Sequence, residues 1–212
     1  PRTSSGQLQD PSLRLMLNSI GFDNIIEIGE MEKVIKGDVS ITGLPFTGEH
    51  CDLNIVSKLC YAVGVGEFKF LFVADSRVLE YKIYEHVQRM IGDVDVLFLG
   101  MECDGAPFTW LYGPLLTQDM SREDDQSRRL SGCDFERGMH LVNIFQPKEV
   151  YVYAMGQEPW TEFISSLKYT DESNPIVQSD RLVNECASRG LIAERLFGEK
   201  ELFYYYDPVI QS

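Results

Sequence analysis

Glu49, His50 and Asp52 crowd into the stretch LPFTGEHCDL (44–53), between two runs of β-strand character, and Asp75 directly follows the apolar run FKFLFVA. Hard carboxylate oxygens combined with imidazole are ligands for zinc, manganese or non-haem iron, so two or three such groups on adjacent loops could hold a metal. The same residues suit a polar turn: Glu49 and Asp52 solvated, His50 satisfied locally, and Asp75 capping a following helix.

Other residues with chemical potential also lie where apolar runs end. Glu102, Cys103 and Asp104 follow VDVLFLGM, with Glu102 and Asp104 as substrate-facing candidates. Trp110 and Tyr112 in FTWLYG, and Trp160 after GQEP, could line a pocket mouth, with a polar handle on each ring, or simply cover the loops. Arg128 and Arg129 could bind a carboxylate or phosphate, or pair with Asp124 and Asp125. His86 and His140 fall inside helical patterns and read as helix residues. The chain has no GxGxxG, no P-loop and no GxSxG elbow, and GVGEF (64–68) reads as a hairpin turn.

The elements that must position these groups follow from periodicity. PSLRLMLNSIGF has helical spacing and stops at Gly21. NIIEIG, EKVIKGD, VSITGLPF, DLNIVSKLCYAV and FKFLFVAD predict four or five strands. RVLEYKIYEHVQRMIG repeats Val78, Tyr81, Tyr84, Val87 and Met90/Ile91 at helical spacing, and VDVLFLGM reads as a strand buried on both faces. A helix around FERGMHLVNIF and a strand EVYVYAM come next. Helical patterns near WTEFISSLKY and SDRLVNECASRG, the latter with Ser179 as candidate cap, precede the aromatic run ELFYYYD. Strands first, then strands alternating with helices, predict a layered α/β fold, in which ligands sit beyond strand ends.

Composition narrows the function classes. The chain of 212 residues carries 33 acidic against 19 basic residues, a formal charge of −14, which disfavours nucleic acid and anionic membrane partners. No apolar run approaches the roughly 20 residues of a membrane helix, and the first residues lack the apolar core of a signal peptide, so the expectation is a soluble, cytoplasmic protein. Five scattered cysteines (Cys51, Cys60, Cys103, Cys133, Cys186) without a CxxC pair argue for reduced thiols rather than a disulfide framework or thiolate zinc site.

The order strand, LPFTGEHCDL, strand, hairpin, strand, FVADS, helix, strand, LFLGMECDGAP resembles the C-terminal half of the metallo-β-lactamase fold over roughly residues 15 to 160. In that family a ligand follows Gly in the loop of the third metal motif and a bridging Asp ends a later strand; Gly48-Glu49 and the Asp75 of VADS match those positions. Glu where most members have His is similar to the dinuclear-iron, oxygen-activating branch, the β-hydroxylases that modify amino acids carried on nonribosomal peptide assembly lines. The resemblance implies an αββα-type fold, Glu49 as a terminal iron ligand, Asp75 bridging the pair, and a small-molecule or carrier-bound substrate. Carboxylate in place of imidazole adds negative charge and stabilises higher oxidation states.

Two departures accompany it. The family's HxHxDH motif is absent, since the chain's three histidines are His50, His86 and His140, so 1–212 is expected to be a single domain incomplete at its N-terminus. The family's last His is also missing from the end of EVYVYAM, where Glu158 could substitute as a ligand, with His50 a further candidate. A half-domain of this kind would expose a sheet face, a basis for a homodimer. The function expected is oxygen-dependent hydroxylation at a dinuclear iron site, the alternatives being a metal-dependent hydrolase with zinc, or a non-catalytic binding or assembly module with a vestigial site.

Overall fold

The computed structural model describes residues 12–47, 58–74, 76–104, 116–121, 123, 124, 132–158, 160 and 169–205. Glu49, His50, Asp52, Asp75, Trp110, Tyr112, Arg128, Arg129 and most of WTEFISSLKY lie outside them.

A seven-stranded mixed sheet in the order β1-β2-β3-β4-β5-β6-β7 forms the centre: β1 Lys33–Lys36, β2 Val39–Leu44, β3 Cys60–Val65, β4 Phe68–Val73, β5 Val96–Gly100, β6 Glu149–Tyr153 and β7 Ile192–Arg195. The first four strands pair antiparallel and the last four parallel. The reason is in the connections. Lys36 pairs with Val39 and Val65 with Phe68, leaving two-residue turns, each opened by a glycine at positive φ (Gly37 at 65°, Gly66 at 56°). GVGEF is therefore the hairpin its sequence predicts. After β4 the crossovers carry helices, as parallel pairing requires.

The described helices are α1 Ser12–Ser19, α2 Tyr81–Ile91, α3 Phe135–Phe145 and α4 Asn174–Ser188. Leu71 and Val73 on β4, Leu97 and Leu99 on β5, and Val150 and Val152 on β6 share one sheet face and are buried. Tyr84 and Val87 of α2, Leu141, Val142 and Phe145 of α3, and Leu182 and Cys186 of α4 join them in one core. Burial of each such side chain is worth about 1.5–3 kcal/mol, so this layer dominates the stability. At Gly138 of α3 an added Cβ would meet Leu182 Cδ1 at 2.5 Å and Leu99 Cδ2 at 3.0 Å; the glycine lets helix and sheet approach.

The opposite face is aromatic, with Phe72 and Phe98 half-buried and Tyr151 buried. Phe72 and Phe98 stack at 4.7 Å between centroids, Phe98 and Tyr151 at 5.4 Å, and Tyr204 closes on Phe68 and Phe70 at 5.4 and 5.1 Å. Among the described residues no helix covers it.

Three expectations are corrected. NIIEIG (24–29) forms no strand; only Ile28 is buried there, and Arg14 of α1 reaches Glu27 at 3.1 Å. The helix after Ser76 begins at Tyr81 rather than near Arg77, because Val78 adopts φ 51° and Glu80 accepts a cap bond from Lys82 N at 3.3 Å. Ser179 is not a cap. Ser173 stands at the N-cap with Pro175 in the first turn, and Ser179 is buried within α4, donating to Ile176 O at 3.0 Å and accepting from Arg195 Nη1 at 2.9 Å. By contrast, FERGMHLVNIF is helical over its whole length, capped by the Asp134 carboxylate accepting from Arg137 N at 3.0 Å.

Candidate functional site

Strand direction decides where a site can form. β2 is antiparallel to β3 and β3 to β4, so β2 and β4 run the same way, and β5 and β6 run parallel to β4. The carboxyl ends of β2, β4, β5 and β6 consequently lie along one edge of the sheet. The Gly48-Glu49 stretch follows β2, Asp75 follows β4, Glu102 and Asp104 follow β5, and Glu158 follows β6. Such an edge is where layered α/β folds place ligands.

The described flanks of the first two segments are joined. Ser76 Oγ donates to Thr47 O at 3.1 Å, tying the segment after β4 to the segment after β2. Because a serine hydroxyl has one proton and it is spent on Thr47, the 2.8 Å contact with Tyr84 Oη is a donation from the tyrosine. Val78 N also donates to Ser76 Oγ at 3.3 Å. Ser76 is fully buried, and burial pushes the Tyr84 phenol well above its ordinary value, with the neighbouring Cys60 adding to the effect. The tyrosine stays neutral and keeps its donor role. Val78 at φ 51° and Ala154 at φ 55° mark backbone strain in the segments after β4 and β6, on this same edge.

After β5, Glu102 accepts a hydrogen bond from Tyr169 Oη, and Asp104 Oδ1 accepts from Asn174 Nδ2 at 2.7 Å. Burial first, then the Glu102 carboxylate, raise the Tyr169 phenol, so it too remains a donor. Burial together with Asp104 and Glu102 pushes the Cys103 thiol up to about 12, which keeps it a neutral thiol. Glu158 lines a cavity of about 350 Å³ with Tyr153, Leu196 and Lys200. Trp160 is 61% exposed. His86 Nδ1 lies 2.6 Å from Arg89 Nη2 on α2, while His140 is exposed on α3 and stacks on Tyr81 at 4.9 Å.

Among the described residues no three His, Cys, Asp or Glu side chains converge as a metal site, and the four described cysteines are free thiols. No helix in the described residues is long and apolar enough to cross a membrane. Sequence reasoning missed the Ser76–Tyr84–Thr47 network, because Ser76 carries no pattern of its own and Tyr84 reads as one more apolar position of α2. It also missed the gathering of Arg77, Arg137 and Arg181 around one cavity, since their sequence separation gives no signal.

No family model matches the chain. The 4-amino-L-phenylalanyl-[CmlP-peptidyl-carrier-protein] 3-hydroxylase of Streptomyces venezuelae is 43% identical over 197 residues, which are 92% of this chain and 37% of that protein. The crystal structure of CmlA, a diiron β-hydroxylase from Streptomyces venezuelae, superposes with a TM-score of 0.81 at 41% identity, over 89% of this chain and 36% of that one. A mutant of the CmlA β-hydroxylase superposes with a TM-score of 0.76 at 40% identity, over 88% and 35% of the two chains. The chain thus spans a little over a third of the length of the relatives it matches. Over nearly its whole length, the chain is homologous to part of a diiron β-hydroxylase and shares its layered α/β fold, built here on a seven-stranded mixed sheet.

Proposed function

We propose that this chain contributes Glu49 and Asp75 to a dinuclear iron centre that hydroxylates an amino acid presented on a carrier protein, with oxygen as oxidant. The observation that carries the reading is the identity of 43% across 92% of the chain to a carrier-protein-dependent 3-hydroxylase. The donor chemistry fits: Glu49 and Asp75 are hard carboxylates that follow β2 and β4, two strands ending on one edge, and the described flanks of both segments meet at the Ser76–Thr47 bond.

Each residue then has a defined task. Glu49 and Asp75 would both serve as carboxylate ligands of the metal pair. Ser76, held by Tyr84 and bonded to Thr47 O, fixes the spacing between the two carrying segments before any metal arrives. Glu102, oriented by Tyr169, and Asp104, oriented by Asn174, face the substrate on the adjoining strand end, and Trp110 and Tyr112 are further candidates for substrate contact. Iron, when bound, supplies the redox chemistry that activates oxygen. Glu158 and His50 are candidates for a further ligand position.

Metal analysis of a full-length protein purified under reducing conditions, with oxygen uptake measured in the presence of a reductant and a carrier-bound aromatic amino acid, tests the proposal. Iron at two per chain, substrate-dependent oxygen uptake, and loss of both in Glu49→Ala are expected. A zinc-loaded, oxygen-indifferent hydrolase would sink it.

A further inference from the structure

Arg77, Arg137 and Arg181 converge on one cavity of about 420 Å³ whose walls are largely polar. They come from three separate elements: Arg77 from the segment after β4, Arg137 from the first turn of α3, and Arg181 from α4. The three differ in how far they are neutralised. Arg137 pairs with Asp134 at 2.7 Å. Arg181 lies over the Phe135 ring, with its guanidinium carbon 4.2 Å from the centroid, and has no carboxylate partner among the described residues. Arg77 has no hydrogen-bond or ion-pair partner there, and its Nε is buried without an acceptor. A buried unmet donor on a cation costs free energy that an arriving anion would recover.

The acids that line the cavity do not fully cancel this charge. Asp134 is committed to Arg137, Glu136 stands exposed on the wall, and Asp104 is held on Asn174 at the edge. Three guanidinium groups against Asp134 and Glu136 leave the lining net positive in a chain of formal charge −14. The cavity also sits by the carboxyl end of β4 and β5, since Arg77 and Cys103 line it, so it shares the edge that carries the candidate site.

An amino acid held on a carrier as a thioester has given up its carboxylate. The fixed anion that arrives with it is the phosphodiester joining the pantetheine arm to the carrier, and planar guanidinium forks match phosphate oxygens in pairs. We propose that the Arg77–Arg137–Arg181 cavity is a phosphate-ester subsite that seats the phosphodiester of this arm. The identity of the arm rests on the proposed function; the anion site rests on the arginines alone.

Calorimetric titration of the protein with phosphopantetheine, pantetheine and inorganic phosphate tests it. Phosphopantetheine is expected to bind at least about tenfold tighter than pantetheine, as charged hydrogen bonds of this kind warrant. R77Q and R181Q should each remove most of that preference, while R77K restores only part of it, because an ammonium cannot form the fork. Arg181 is exposed, so R181Q should stay folded with at most a small fall in unfolding midpoint from the lost contact with the Phe135 ring, and its loss of preference reports the subsite rather than misfolding. Equal binding of phosphopantetheine and pantetheine, or a phosphate preference surviving both substitutions, overturns the subsite. Inorganic phosphate binding as tightly as phosphopantetheine overturns the assignment to the arm. Iron content and oxygen uptake of the wild-type protein separate the two readings: a phosphate preference without iron leaves the subsite standing and sinks the hydroxylase, whereas iron and oxygen uptake without the preference do the reverse.

Discussion

At the scale of single residues, Ser76 joins more of the candidate site than any other described side chain. It donates to Thr47 O, accepts from Tyr84 and from Val78 N, and is shielded from water entirely. Ser76→Ala leaves the Thr47 carbonyl and the Tyr84 hydroxyl without this partner, and unfolding in denaturant should show a loss of about 1–3 kcal/mol. Tyr84→Phe removes one bond of the same network and leaves the ring packed, so the loss should be smaller, about 1 kcal/mol. If the network spaces the metal-carrying segments, Ser76→Ala should also weaken iron retention on dialysis against a chelator. Unchanged retention would reduce Ser76 to a folding role. None of this was visible in sequence: a serine after an aspartate announces nothing until the β2 and β4 segments are brought side by side.

Two contacts matter most at the scale of elements. Gly138 lets α3 lie close on β5 and α4, so Gly138→Ala should overpack the layer against Leu182 and Leu99 and cost about 1–3 kcal/mol, read from thermal unfolding. Asp95 ties the amino end of the parallel strands: it accepts from Lys69 N at 2.8 Å and from Lys148 Nζ at 2.7 Å. Burial works to raise its carboxyl, but the bonds from Lys148 and Lys69 outweigh that and hold it below the ordinary 3.8. A depressed folded-state value means the stabilisation is fully present above the ordinary value and fades as pH falls through the lower one. Asp95→Asn should therefore lower stability by about 1 kcal/mol at neutral pH, with the wild-type advantage shrinking in acid below that value. A stability difference constant down to pH 2 would show that the charge is not what matters. Elements bounded by local chemistry were legible beforehand: α3 has its Asp134 cap, the hairpin its Gly66. An element bounded by backbone strain was not, as the late start of α2 behind Val78 shows, whereas the start of α4 at Ser173 and Pro175 is a local signal that the reading of Ser179 as cap overlooked.

For the whole molecule, charge and topology act at different ranges. The formal charge of −14 should leave the protein without measurable affinity for duplex DNA in an electrophoretic shift at physiological salt, and retardation there would contradict the long-range repulsion. A local positive cavity within that field can still select a small phosphate ester, because contact with paired guanidinium forks acts over a few ångströms whereas the net field is screened within roughly 8 Å. The sheet adds a second asymmetry: helices cover the aliphatic face, while the face of Phe72, Phe98 and Tyr153 stays half-open.

The sequence alone determined the class of fold and most of its strands, though not β7 or the absence of a strand at 24–29, because hydrophobic period and turn glycines are local signals that survive without coordinates. Residue types in GEH and VADS likewise carry the proposal that these segments hold a metal. Only tertiary structure decided that β2, β4, β5 and β6 all end on one edge, that Ser76 ties two of those ends together, and that Arg77, Arg137 and Arg181, far apart along the chain, face one cavity. Those facts depend on pairing direction and helix packing, which are non-local interactions, so no window of sequence contains them.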